Sequence, residues 1–158
     1  MVQLAGGKPV IVECNSEHKF KLTKASLQAA TTKKTKLLIL NSPSNPTGLV
    51  YTEKELEQIA QYARENPQVY IISDDIYNRL VFTGEALAPH ILKIAPDLKS
   101  RTLCINGVSK TFSMTGWRIG WAIGEENLIR AMSDYISQST SSACSISQKA
   151  SVVALEQC

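Results

Sequence analysis

Three short apolar runs, separated by helical or turn-forming segments, constrain the fold of this chain most. They occupy residues 37–40, 69–72 and 102–105. Continuous apolar runs of this length are typical of strands that are buried on both faces of a parallel sheet. The order strand, helix, strand, loop, strand therefore predicts an α/β fold, with a mainly parallel sheet flanked by helices.

The remaining elements are predicted from periodicity and end signals. Thr52 and Glu55 have the spacing of a helix-starting capping box, and Asn66-Pro67 stops the apolar pattern that follows them. We expect further helices at residues 23–31, 125–135 and 148–155, and further strands at residues 10–12 and 117–123.

Polar side chains follow the end of each apolar run. Asn45 lies in the turn after the first run, Asp74 directly follows the second, and Lys110 follows the third. Ligands of parallel sheets bind outside the carboxyl ends of the strands. We therefore expect an amide, a carboxylate and an amine to converge on one edge of the sheet.

Lys110, Asp74 and Tyr77 suit the chemistry of an aldehyde cofactor. A lysine shielded from water beyond a strand end is nucleophilic and forms a covalent bond with an aldehyde. A carboxylate such as Asp74 keeps a ring nitrogen protonated, so that the ring withdraws electrons. Each residue also has an ordinary interpretation: Lys110 as a surface lysine, Asp74 as a turn or cap residue, and Tyr77 as a packing residue.

Arg118 and Ser109 are candidates for binding the rest of such a cofactor. The planar guanidinium of Arg118 is suited to a phosphate, and the Ser109 hydroxyl can add a hydrogen bond to it. The alternatives are a surface arginine and a plain loop serine. The Asn-Pro-Thr-Gly turn at Asn45, taken alone, indicates a structural turn.

Composition excludes several other classes of protein. The net charge of +3 is too small to indicate nucleic-acid binding, and the basic run at residues 33–36 is expected to be a solvated loop. The four cysteines form no CxxC pair, which argues against a zinc site or a redox dithiol and fits a reducing, cytoplasmic setting. Cys104 is expected to be a small buried apolar residue. No segment has the pattern of a membrane span or a signal peptide, and a nucleotide-binding module lacks its GxGxxG or GxxxxGK[ST] motif.

Three motifs together resemble the fold-type I, class I/II aminotransferases, which use pyridoxal 5'-phosphate (PLP). They are NSPSNPTG at residues 41–48, DDIY at 74–77 and GVSKTFSMTGWRIG at 107–120, in the family's order. The resemblance implies that Lys110 is the catalytic lysine, covalently attached to PLP. It places Asp74 at the pyridine nitrogen, Tyr77 and Asn45 at the phenolic oxygen, and Arg118 at the phosphate.

The amino-acid sequence at residues 20–23 and 113–118 is most similar to that of bacterial aspartate aminotransferases. This implies transfer of an amino group between an amino acid and a 2-oxo acid, with aspartate and 2-oxoglutarate as the expected pair, in a homodimeric intact enzyme. A PLP-dependent lyase on the same scaffold and a non-catalytic PLP-binding fragment are the alternatives, because the cofactor residues alone do not separate them.

Members of that family are considerably longer than 158 residues. We expect residues 1–158 to form one partial domain, the core of the large PLP-binding domain, without the N-terminal segment and the C-terminal small domain. The family's upstream phosphate-binding turn, its ring-stacking aromatic and its downstream substrate arginine have no counterpart in the sequence. The chain alone is therefore expected to be inactive.

Overall fold

A four-stranded, mainly parallel sheet forms the centre of the molecule in the residues that the computed structural model describes, 1–82 and 84–158. Its strands lie side by side in chain order: β1 (Leu37–Asn41), β2 (Tyr70–Asp74), β3 (Thr102–Gly107) and β4 (Gly120–Ile123). The first three are parallel, and β4 runs antiparallel to β3. The predicted α/β fold is confirmed, and all three parallel strands end at the same edge.

Helices lie between the strands and after the last one, and those that precede β3 pack against one face of the sheet. Their bounds are α1 (Lys24–Ala30), α2 (Glu53–Glu65), α3 (Ile91–Ile94), α4 (Val108–Thr111), α5 (Glu126–Ser139) and α6 (Ser145–Gln157). The capping box predicted for α2 is present: the Thr52 hydroxyl accepts from the Glu55 amide, and the Glu55 carboxylate accepts from the Thr52 amide. No helix among these residues is both long and apolar enough to cross a membrane.

The hydrophobic core lies between one face of the sheet and helices α1, α2 and α3. Side chains alternate between the two faces of a strand. Leu40 of β1 and Ile71 of β2 point towards the helices and are almost fully buried, together with Leu56 and Ile59 of α2. We call this the covered face of the sheet.

The prediction that β1 and β2 are buried on both faces is wrong for this chain. Leu37, Ile39 and Tyr70 lie on the opposite face and are 43%, 53% and 49% exposed. Among the described residues, the helices that pack on the core lie against the covered face, so these apolar side chains meet solvent. We call this second side the open face.

Two further predictions of local structure are corrected. Residues 10–12 form no strand: Val10 and Ile11 are 61% and 85% exposed, and the described part of the chain offers them no strand to pair with. The predicted strand at 117–123 is shorter. A single 3-10 turn, Thr115–Trp117, comes first, and pairing with β3 begins only at Gly120.

Candidate functional site

Two adjacent aspartates at the end of β2 point to opposite faces of the sheet. Asp74 pairs in register with Asn41 and lies on the open face, whereas Asp75 is buried on the covered side. The Asp74 carboxylate accepts a hydrogen bond from the Ile76 amide at 3.3 Å, and its backbone carbonyl accepts one from the Asn41 side chain at 3.1 Å. These contacts hold a carboxylate at the carboxyl edge of the sheet.

The turn after β1 brings Asn45 to the same edge. The Asn45 amide N–H donates to the Asn41 side-chain oxygen at 3.2 Å, which ties the turn to the end of β1. The Asn45 side-chain amide donates to the Tyr77 hydroxyl, also at 3.2 Å. Gly48 closes the turn with a φ of 68°, a conformation that glycine adopts without the strain of a side chain. Asn45 and Tyr77 line an open cleft of about 310 Å³.

Lys110 approaches Tyr77 from the segment that follows the third strand. β3 ends at Gly107, and Lys110 lies on the short helix α4 that follows. Its half-buried ammonium Nζ lies 5.5 Å from the centre of the Tyr77 ring, within the range of a cation–π contact. The predicted convergence is of Asn45, Asp74 and Lys110: Asn45 and Lys110 both contact Tyr77, and Asp74 lies at the end of the neighbouring strand β2, at the same edge of the sheet.

A close approach of two glycines fixes the segment that carries Lys110. Gly107 of β3 pairs with Gly120 of β4. A Cβ atom on Gly107 would lie 2.7 Å from the Ile119 carbonyl oxygen, so a side chain does not fit there. Residues 108–119 thus leave the sheet and return to it at neighbouring points. We call this segment the lysine loop.

Ser109 and Arg118 lie on the lysine loop together with Lys110. Ser109 is half-buried in α4. Arg118 has a left-handed backbone, with a φ of 56°, and its exposed guanidinium donates to the Thr115 carbonyl at 3.1 Å. Within the described residues, no side-chain hydrogen bond links either of them to Asn45, Asp74 or Tyr77. Both residues lie close to Lys110 along the chain, and their phosphate-binding roles stay predictions.

Behind the site lies a hydrogen-bonded group that sequence analysis missed. Asp75 accepts from the Ser73 hydroxyl at 2.7 Å and contacts Nε2 of His90 at 3.1 Å. The Cys104 thiol lies 3.7 Å from the same nitrogen. Cys104 is only half-buried, so the expectation of a plain buried apolar residue is wrong. His90 lies far from these residues in the sequence, which explains why no local pattern predicted the group.

The charge of Asp75 acts strongly on His90. Its hydrogen bond, followed by the contact with Cys104, raises the pKa of His90 to about 10. The Leu92 amide opposes this, because its N–H points at Nδ1 at 3.1 Å and needs a lone pair there. A hydrogen bond to a charged group contributes about 1.5–3 kcal/mol, against about 0.5–1.5 kcal/mol for a neutral one. The carboxylate therefore prevails, and the pKa of His90 stays raised.

The sequence matches the profile of the family described as "Aminotransferase class I and II" over residues 1–157. A protein of Rickettsia typhi named "Probable aspartate/prephenate aminotransferase" is 53% identical over 98% of this chain and 39% of its own length. The "Aspartate aminotransferase" of Bacillus sp. strain YM-2 is 51% identical over 97% of this chain and 38% of its own. The crystal structure of a Rhizobium meliloti aspartate aminotransferase superposes with a TM-score of 0.95 at 43% identity, covering 99% of this chain and 39% of that one.

These matches show that the chain belongs to the class I and II aminotransferase family, as its three motifs indicate. The likeness to bacterial aspartate aminotransferases is confirmed as well. The chain spans about two fifths of the length of the relatives it matches, 39% for the Rickettsia typhi protein.

Proposed function

We propose that this chain supplies the PLP-binding core of an enzyme that transfers an amino group between an amino acid and a 2-oxo acid. The observation that carries the proposal is the meeting of Lys110, Tyr77 and Asn45 at the carboxyl edge of the sheet, with Asp74 at the same edge. These residues supply groups that suit PLP. They offer an amine for attachment, two hydrogen-bond donors for an anionic oxygen, and a carboxylate that accepts from a ring nitrogen.

Lys110 and Asp74 have the two central roles in this proposal. PLP, when bound, withdraws electrons from the carbon that loses a proton. Lys110 first holds the cofactor through its Nζ. When free, the Lys110 amine would take the proton from the substrate α-carbon as a general base. Asp74 keeps a proton on the pyridine nitrogen.

The other candidate residues orient the ring and hold its phosphate. The Tyr77 hydroxyl and the Asn45 amide, which already contact each other, donate to the phenolic oxygen. Arg118 binds the phosphate, for which its guanidinium must exchange the Thr115 carbonyl for phosphate oxygens. Ser109, beside Lys110 on α4, adds a hydroxyl to the same phosphate.

Aspartate and 2-oxoglutarate are the proposed substrate pair. The relatives from Rickettsia typhi and Bacillus sp. are named for aspartate or for aspartate and prephenate, which supports aspartate as the amino donor. We further propose that residues 1–158 are one partial domain of a homodimeric cytoplasmic enzyme. The four free thiols are compatible with a reducing compartment.

Reduction of a chain–PLP mixture with borohydride, followed by peptide mapping, tests the proposal. We expect a stable pyridoxyl label on Lys110 alone, because its amine is the one placed against Tyr77. The variant Lys110→Ala should lose the label. The matched control Lys149→Ala, which alters a lysine of α6, should retain it. A label on Lys34 or Lys149 in the parent chain would show that Lys110 is not the attachment site.

A further inference from the structure

The buried group behind Asp74 has no part in the proposed chemistry, yet it lies directly beneath the carboxyl edge of the sheet, where we propose that PLP binds. Asp75 is 7% exposed, and both of its carboxylate oxygens have partners, the Ser73 hydroxyl and Nε2 of His90. Cys104, on the neighbouring strand β3, completes the group at 3.7 Å from His90. We call these four residues the Asp75 cluster.

The spacing of the Asp75 cluster would suit a metal ion, but its hydrogen bonds do not. The ligand atoms of Asp75, His90 and Cys104 all lie within 4.8 Å of one another. A histidine ligand must present an unprotonated nitrogen. The Leu92 amide occupies Nδ1 of His90, which leaves the proton of the neutral ring on Nε2, and the charged ring carries a proton there too. Nε2 is therefore a donor to Asp75 in both states.

The Asp75 cluster acts on the same stretch of backbone that presents Asp74. Successive residues of a strand point to opposite faces, so anchoring Ser73 and Asp75 on the covered side fixes the peptide groups on both sides of Asp74. The Asp75 amide adds a further restraint by donating to the Ile105 carbonyl at 2.8 Å. With its neighbours held from below, Asp74 has one direction left for its side chain, towards the open face.

We propose that Asp75 and His90 are positioning residues, which hold the end of β2 so that the Asp74 carboxylate faces the proposed cofactor site. The inference rests on the proposed function for the role of Asp74. Its geometric part stands apart from that role, because the Ile76 amide donates to the Asp74 carboxylate at 3.3 Å and reports its orientation without any cofactor.

Two variants of His90 separate positioning from a local structural role. In its neutral form His90 also caps α3, because its Nδ1 then accepts from the Leu92 amide. His90→Asn keeps a good cap acceptor near Nδ1 but is too short to reach Asp75. His90→Gln keeps a donor near the position of Nε2 that reaches Asp75, but it removes the acceptor that Nδ1 offers to the Leu92 amide. If His90 positions Asp74, the Asp74 carboxylate should lose its orientation in His90→Asn and keep it in His90→Gln. If His90 acts only as a helix cap, His90→Gln should be the more strongly affected variant.

The first measurement is the amide resonance of Ile76 in the cofactor-free 158-residue chain, followed from neutral to low pH. We expect His90→Asn to lose at least half of the pH-induced shift, and His90→Gln to retain it. The second measurement is PLP affinity from the visible absorption of the bound cofactor. It should fall about tenfold in His90→Asn and stay within about twofold of the parent in His90→Gln.

Parent-like behaviour of both variants, or damage confined to His90→Gln, would overturn the proposal. So would saturable Zn²⁺ binding that His90→Gln abolishes, since it would make the Asp75 cluster a metal site. If His90→Asn does not fold, Ser73→Ala replaces it; this milder change removes the other contact of Asp75 and should reduce the Ile76 shift in the same direction. A parent chain that fails to bind PLP would count against the proposed function, while the Ile76 resonance would still decide the positioning role.

Discussion

Asp74 and Asp75 show how much the position of one residue in a strand decides. Their side chains are chemically identical, and a shift of one position separates the open face of the sheet from the buried side. The motif at residues 74–77 begins with these two aspartates. The alternation of β2, together with the partners on each side, gives the two carboxylates different surroundings.

Replacing Asp74 should slow chemistry without preventing attachment of the cofactor. In a complete enzyme that carries this chain, Asp74→Ala should retain PLP on Lys110, because the attachment needs only the amine. The proton-transfer step should slow by at least about a hundredfold, as for loss of other preorganised electrostatic contacts. Single-turnover rates with the amino acid measure this. Asp134→Ala, at an exposed aspartate of α5, is the control, and a parent-like rate for Asp74→Ala would remove Asp74 from the mechanism.

His90 should make the stability of the chain depend on pH. Its pKa is raised to about 10 in the folded chain by Asp75 and Cys104, against about 6.5 when unfolded. A raised folded-state pKa contributes stability that is fully present below the unfolded value and is lost as pH rises through the folded value. The melting temperature of the parent should therefore exceed that of His90→Gln most below about pH 6.5. The difference should shrink towards pH 10, and a difference that grows with pH would contradict the raised pKa.

The elements that were predicted well are those with local signals. Thr52 and Glu55 are three residues apart and satisfy each other at the start of α2, so the sequence alone identifies that helix. The end of β2 at Asp74 is similarly marked by the change from apolar to polar residues.

The features that were missed depend on distant parts of the chain. Exposure of Leu37 and Ile39 follows from what covers the sheet, and their sequence is that of a fully buried strand. The contact of Asp75 with His90 joins residues on separate elements. The antiparallel direction of β4 is likewise set by its pairing with β3 and has no signature in its own residues.

A methyl group at Gly107 should disturb the junction of β3 and β4. Its Cβ would lie 2.7 Å from the Ile119 carbonyl oxygen, so the strands must separate there. We expect Gly107→Ala to destabilise the chain by about 1–3 kcal/mol, the usual cost of overpacking, and to weaken labelling of Lys110 by PLP. Thermal unfolding and the borohydride label measure the two effects. Gly116→Ala is the matched control, because no atom lies within 4 Å of its added Cβ, and equal effects of the two substitutions would contradict the steric argument.

At the scale of the molecule, the open face shapes what the chain can do alone. Leu37, Ile39 and Tyr70 form an apolar stripe on adjacent strands, and stripes of this kind promote association between molecules. The site at the edge of the same sheet is an open cleft, with Asn45 exposed to solvent. Water therefore reaches the groups that the proposed chemistry requires to be shielded.

The 158-residue chain with added PLP should have no measurable transaminase activity. Among the described residues, we propose Arg118 and Ser109 as partners of the phosphate, and each missing charge-assisted contact costs about 1.5–3 kcal/mol, or roughly ten- to a hundredfold in affinity. Imperfect orientation of the substrate adds to the loss. A coupled assay with aspartate and 2-oxoglutarate measures the rate, and sedimentation of the same sample measures self-association. Turnover comparable to that of a complete relative would refute this expectation.

The pairing of Gly107 with Gly120 gives the lysine loop a fixed length as well as a fixed position. Both ends of the loop are fastened to neighbouring strands, so the number of residues between them determines how far Lys110 and Arg118 stand from the sheet. A substitution within the loop alters one side chain, whereas an insertion or deletion moves the amine and the guanidinium together. The length of the lysine loop is therefore a structural constraint in its own right, separate from the identity of the residues within it.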